Sequence, residues 1–315
     1  MSLQEALAGE GVVFTGEVGP PKGIDCEDLW REAEDFRGKV VALNVTDNQS
    51  SIMRISSLAV CIKLKTMGLE PVLQMVCRDR NRLGLESDLL GAAIWGIENV
   101  LALTGDHVAI GDHPQAKPVH DLDSVTLLRA IGQLMQGRDM AGNRLDGAWK
   151  RIKQPADSPV KFKYEGPIAA KCPRFFPGAV VTPCAEPLAP QIIKLEKKVE
   201  AGAKFIQTQA VYDAAKFEKF VRAAEHIRVP ILAGIVMLKG AGMAKYMNEN
   251  VAGVSVPEPI ISELAAAPKG DEKKVSVAIT ARLMREMAGM CKGFHLMPLG
   301  WSKCAVEAIE ASGLK

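Results

Sequence analysis

The chain has 315 residues, 48% hydrophobic and 24% charged, enough apolar material for a large core in one or two globular domains. Lys and Arg number 39 against 37 Asp and Glu, a net charge of +2, so composition gives no reason to expect nucleic acid or an anionic membrane as a partner. Glu5 and Glu10 stand where a signal peptide needs a basic region, and no apolar run approaches the roughly 20 residues of a membrane helix.

Seven cysteines (Cys26, Cys61, Cys77, Cys172, Cys184, Cys291, Cys304) make no C-x-x-C pair, so the expectation is a reduced, cytoplasmic protein without a bound metal.

In chain order, Gly11-Val12-Val13-Phe14 reads as a buried strand that delivers Glu17 and stops at Gly19-Pro20-Pro21, because proline fixes φ and lacks an N–H. Glu17 is then either a solvated turn residue or a proton donor in apolar surroundings. Glu27 to Phe36 is a helix candidate, and Val40 to Val45 is a second strand ending in Thr46-Asp47-Asn48. Ile55 to Met67 repeats apolar residues at helical spacing before Gly68. Pro71 to Cys77 is a third strand with a charged tip, Arg78 to Arg82; Ser87 to Trp95 is helical; Ile97 to Leu103 is a fourth strand, followed by Thr104-Gly105-Asp106-His107.

A long loop through Asp112-His113-Pro114 leads to a helix over Ser124 to Met135, and from Gly137 to Pro177 the rhythm is lost. Ala179 to Thr182 is a fifth strand, Gln191 to Ala201 an amphipathic helix, Lys204 to Gln209 a sixth strand and Pro230 to Ile235 a seventh. Val251 to Val256 could pass for a further strand; Lys274 to Met287 is the last long helix, and Phe294 to Met297 the eighth strand. This alternation predicts a (β/α)₈ TIM barrel, with a doubly wound sheet as the rival. That rival usually shows G-x-G-x-x-G after its first strand, which is missing here. The expected organisation is one domain over 1–315 with an insertion at 149–173, before the fifth strand.

The catalytic face of such a barrel is built from strand C-terminal ends, which here present Glu17, Thr46-Asp47-Asn48, Gln74, Thr104-Gly105-Asp106, Thr182, Gln209 and His295. Singly, a strand-end Asp after Gly suits a turn or helix cap, and a strand Gln suits a satisfied polar residue. Together they suit a flat, hydrogen-bonding ligand.

Glu17 in its setting, Ala102-Leu103-Thr104-Gly105-Asp106, Lys197-Lys198-Val199-Glu200-Ala201-Gly202-Ala203 and Thr208-Gln209 together resemble the methylenetetrahydrofolate reductases, flavoprotein (β/α)₈ barrels of one-carbon metabolism. Thr182-Pro183-Cys184-Ala185-Glu186-Pro187 and Gly293-Phe294-His295-Leu296-Met297 are similar to the short, catalytic-domain-only branch of anaerobic bacteria and archaea.

The resemblance implies reduction of 5,10-methylenetetrahydrofolate to 5-methyltetrahydrofolate by hydride from a reduced flavin, FAD or FMN. It implies Glu17 as general acid, Asp106 as the carboxylate that binds the pterin and favours the developing cation, and Gln209 as a pterin-orienting amide. Cofactor contacts are implied at Thr46, Gln74, Thr104, Gly105, Asp106, His120, Lys194 and Lys198; for the two lysines a solvated helix face is the alternative.

Gln74 and Thr104 stand where relatives carry histidine and arginine, which leaves FAD or FMN open. Ala210 stands where an aromatic residue is common in NAD(P)H-using relatives, so both NAD(P)H and an electron-donating protein subunit remain as donors, with a homo- or hetero-oligomer expected. The rival readings are another barrel enzyme, such as an aldolase or flavin-free reductase, and a non-catalytic pterin-binding or electron-transfer subunit. Retention of both Glu17 and Asp106 argues against the last. The insertion carries Lys150, Arg151, Lys153, Lys161, Lys163 and Lys171 against Asp157 and Glu165, interleaved with Trp149, Phe162 and Tyr164. It reads as a surface loop or as a docking segment for a partner.

Overall fold

The computed structural model describes residues 1–146 and 171–314. Eight strands, β1 (Val13–Val18), β2 (Ala42–Val45), β3 (Pro71–Val76), β4 (Asn99–Leu103), β5 (Phe176–Val181), β6 (Phe205–Ala210), β7 (Ile231–Val236) and β8 (Gly293–Met297), form a closed parallel barrel in sequence order. The ring closes where β8 pairs with β1, Val13 opposite Gly293 and Thr15 opposite His295. A Cβ at Gly293 would lie 1.9 Å from the Val13 carbonyl oxygen, so that seam needs glycine.

Helices α2 (Glu27–Asp35), α3 (Ser57–Thr66), α4 (Arg82–Ile94), α5 (Ser124–Met135), α6 (Ala189–Glu200), α7 (Ala214–Ala223), α8 (Ala241–Asn250), α9 (Glu258–Ala265), α10 (Glu272–Met287) and α11 (Ser302–Ser312) lie outside the ring. Outward strand residues such as Phe14, Leu43, Leu73, Ile206 and Phe294 pack with them in one core.

Inward residues make a second core. Val13, Ala42, Val72, Leu101, Phe176, Phe205 and Leu232 meet Leu3, Ala6 and Leu7 of the N-terminal helix α1 (Leu3–Ala8). Helix α1 is fixed by a capping box: Ser2 accepts from the Glu5 amide, and Glu5 accepts from the Ser2 amide. It closes the N-terminal end of the barrel, leaving the opposite end as the open mouth.

All eight expected strands are present, because strands buried on both faces read as continuous apolar runs. Three details differ. First, β1 begins at Val13 rather than Gly11, and it runs to Val18 with Glu17 buried inside it. Second, Val251–Val256 is not a strand but the link from α8 to α9, with Val254 and Val256 buried in the outer core. Third, α4 starts at Arg82, where Asn81 caps it by accepting from the Gly84 amide.

The insertion expected at 149–173 lies outside the described residues, apart from Lys171, Cys172 and Pro173. Among the described residues, Cys26, Cys61, Cys77, Cys184, Cys291 and Cys304 are free thiols. Among the described residues, no helix is long and apolar enough to cross a membrane.

Leu3 is fully buried in the plug. Leu3→Ala should lower stability by about 2–5 kcal/mol, the usual cost of such a truncation in a packed core. A urea midpoint unchanged from the parent would show that α1 does not seal the barrel.

Candidate functional site

At the mouth, strands β1, β3, β4, β5, β6 and β8 and the loops after β2, β3, β4 and β5 line a cavity of about 380 Å³. Its floor is polar. Asn44 and Gln207 bond twice across the barrel, Asn44 Nδ2 to Gln207 Oε1 at 2.7 Å and Gln207 Nε2 to Asn44 Oδ1 at 3.1 Å. Beside them the Thr15 hydroxyl lies 3.0 Å from His295 Nδ1. With Nδ1 accepting from Thr15, His295 Nε2 carries the proton and points at Glu17 Oε2, 3.5 Å away. The same Glu17 oxygen accepts from Gln74 Nε2 at 2.9 Å. Glu17, Gln74 and His295 are each no more than 8% exposed, so this carboxylate sits deep in the mouth with named partners on one oxygen.

Strand β6 contributes three consecutive wall residues, Gln207, Thr208 and Gln209. Its register against β7 slips between Gln207 and Ala210, an irregularity that turns extra side chains toward a site. Thr208 Oγ1 holds the Gly234 amide at 2.9 Å, and Gln209 Oε1 accepts from the Ala210 amide at 2.9 Å, which leaves the Gln209 NH₂ for the cavity.

Gly105, at φ +94°, directs the chain from β4 into Asp106, an exposed carboxylate on the rim. The neighbouring Thr104 hydroxyl accepts from the Ser124 amide at 3.2 Å, at the start of α5.

Lys198, on α6, reaches the wall and donates to the Val180 carbonyl at 2.7 Å. Burial, and then the charge of Lys194, pull its pKa from 10.5 to about 8. Among the described residues it has no carboxylate partner, so it is the wall cation suited to an anion such as a phosphate.

The structure therefore gathers Glu17, Gln74, Thr104, Gly105, Asp106, Lys198 and Gln209 around one cavity. Three residues expected at the site stand off it. Lys194 is exposed on α6 and acts on Lys198 only through its charge. His120 is exposed on the β4–α5 loop at φ +40°. Thr46 is 2% exposed, and its hydroxyl has no hydrogen-bond partner.

Two groups had no role assigned from the sequence. Asp47, 6% exposed, accepts from the Val76 amide at 2.9 Å and pairs with Arg80; burial pushes its carboxyl above the usual range while Arg80 opposes that. Arg78 is 2% exposed and forks onto Asp79 with two 2.7 Å bonds. In the sequence both arginines belong to a charged tip, and only the tertiary pairing separates that from a solvated turn.

A family model described as "Methylenetetrahydrofolate reductase" matches residues 2–142 and 167–313. "Methylenetetrahydrofolate reductase 2" of Schizosaccharomyces pombe is 28% identical over 254 residues, covering 77% of this chain and 35% of that protein. "Probable methylenetetrahydrofolate reductase (NADPH)" of Caenorhabditis elegans is 24% identical over 277 residues, covering 85% of this chain and 36% of that protein. The chain thus spans about a third of the length of these two relatives. A solved structure described as an uncharacterized protein from Clostridium thermocellum that binds two copies of 5-methyl-5,6,7,8-tetrahydrofolic acid shares the fold. Its TM-score is 0.60 at 14% identity, over 99% of this chain and 98% of that one.

The Lys198 shift makes a pH-dependent prediction. Below its folded value of about 8, Lys198 is charged in both states and its burial costs stability. Between about 8 and 10.5 the unfolded chain binds more protons, so this contribution to stability rises with pH. The stability difference between Lys198→Met and the parent should therefore shift in favour of the parent across that window. Thermal midpoints that keep a constant difference from pH 7 to pH 10.5 would contradict the assignment.

Proposed function

The chain belongs to the methylenetetrahydrofolate reductase family, and on that footing we propose that it reduces 5,10-methylenetetrahydrofolate to 5-methyltetrahydrofolate with a flavin, FAD or FMN, bound in the barrel mouth. The observation that carries this reading is the buried Glu17, bonded to Gln74 and faced by His295 in a cavity that Asp106 also lines. When bound in its reduced form, the flavin supplies hydride to the methylene carbon. Lys198 suits its phosphate, as a half-buried cation whose hydrogen bond here goes to a carbonyl.

The chain's own residues account for the acid chemistry. The substrate's methylene bridges two nitrogens, and protonating one of them opens the ring to an iminium cation. Glu17 supplies that proton from Oε1, since Oε2 is held by Gln74 and faces His295. The Thr15–His295 contact fixes the imidazole and keeps its Nε2 proton directed at the carboxylate, which offsets the negative charge that Glu17 gains on donating. Asp106 accepts hydrogen bonds from the pterin and favours the cation as it develops. The free NH₂ of Gln209 orients the ring system.

A second reading, a pterin-binding barrel without flavin, draws on Thr104, whose hydroxyl is engaged with Ser124 rather than offered to a cofactor. The visible spectrum of the purified protein separates the two, because oxidised flavin absorbs visible light and a pterin-only protein lacks those bands.

Glu17→Gln should retain flavin and folate while slowing folate reduction by roughly 10²-fold or more, the usual size of a general-acid contribution. Turnover equal to the parent, with ligands bound, would remove Glu17 from that role.

A further inference from the structure

Arg78 is among the largest fully buried side chains of the molecule and lines the cavity, yet the chemistry proposed above leaves it without a task. Its donors are divided among three loops of the mouth. Nε and Nη2 fork onto Asp79 in the β3–α4 loop. Nη2 also donates to the Asn48 carbonyl in the β2–α3 loop at 3.2 Å, and Nη1 to the Asp106 carbonyl in the β4–α5 loop at 3.2 Å. The Arg78 carbonyl accepts from the Val119 amide at 2.8 Å, pinning the far end of that same long loop. Asn48 closes the circuit, its Nδ2 donating to Asp79 Oδ2 at 3.1 Å.

Two features show that this circuit holds unfavourable backbone in place. Asn48 sits at φ +45°, with Ser50 at +56° and Ser51 at +59° just beyond it, conformations that cost free energy unless the surroundings impose them. Gly105 is at φ +94°, and a Cβ there would stand 3.1 Å from Arg78 Cβ and 3.2 Å from Val76 Cβ. The chain before Asp106 is therefore shaped by contact with Arg78, and the carbonyl of Asp106 itself is tied to the guanidinium. Asp79 neutralises the arginine, so its influence on Asp106 is one of position more than of charge.

We propose that Arg78 is a positioning residue for folate recognition, holding the Gly105-Asp106 turn so that the exposed Asp106 carboxylate meets the pterin. The inference rests on the functional reading above, in which Asp106 is the pterin-binding carboxylate. It names a residue that acts through Asp106 without itself touching substrate.

The test is a double-mutant cycle read as affinity for 5-methyltetrahydrofolate by calorimetry, with Arg78→Lys, Asp106→Asn and the pair. Lysine keeps the charge but loses the fork. In the parent background Arg78→Lys should weaken binding by about 10-fold, and in the Asp106→Asn background by well under half of that on a logarithmic scale, as coupled residues do. Asp79→Asn, which leaves Arg78 in place but loosens its hold, serves as the second variant should Arg78→Lys fail to fold; its smaller loss should show the same dependence on Asp106. Equal losses in both backgrounds overturn the inference while leaving the function intact. Asp106→Asn binding as tightly as the parent, or a parent that does not bind the ligand, removes the functional reading and this inference with it.

Discussion

Two amides hold the middle of the barrel. Asn44 and Gln207 face each other across its interior, and each satisfies the other's donor and acceptor. A barrel interior can admit polar side chains only if they are bonded, since an unpaired buried amide costs about 1–3 kcal/mol. With that pair and the Thr15–His295 contact in place, the upper half of the barrel can be polar. The lower half stays dry, filled by Phe176, Phe205 and the apolar face of α1. Glu17 stands above this boundary, buried enough to be protected from bulk water and bonded enough to be tolerated.

The rim is held by a different kind of bond. Asp112 collects Lys22 from the β1–α2 loop, the Met53 amide from the β2–α3 loop at 3.1 Å, and its own neighbour His113 at 2.9 Å. Lys22 and His113 hold the Asp112 carboxyl well below the usual carboxylate range. Nearby, a Cβ at Gly111 would lie 1.8 Å from the Ser51 carbonyl oxygen, so glycine lets the β4–α5 loop press directly onto the β2–α3 loop. The mouth is thus ordered at two depths, by buried Arg78 and by Asp112 on the exposed rim.

Most of the barrel was legible in the sequence for a simple reason. Parallel strands covered on both faces need apolar residues at every position, and such runs stand out. Among the helices after β6, α10 stood out but α8 did not, because α8 opens on Gly240-Ala241-Gly242 and fully buries only Ala244 and Met247. Val251–Val256 looked like a strand because its buried valines serve the outer helical layer, and composition does not distinguish that burial from a sheet.

Glu17, Asp106, Gln209 and Lys198 were legible through resemblance, and the fold brings them to one cavity. Arg78, Asp47 and Arg80 were not. A run of alternating charges has the same composition whether solvated or folded inward, and only the loops packed around it decide. Thr46, expected at the cofactor, is absent from the cavity lining that its neighbour Asp47 joins.

The plug formed by α1 has a consequence for traffic. Because the N-terminal end is filled by Leu3, Leu7 and the aromatic pair Phe176–Phe205, the barrel is a cul-de-sac. Whatever enters must back out through the opening it came in by. In a cavity of about 380 Å³, reactants too bulky to share the space would have to queue, each vacating before the next arrives. The order of events at such a site is then imposed by architecture before any chemical preference acts.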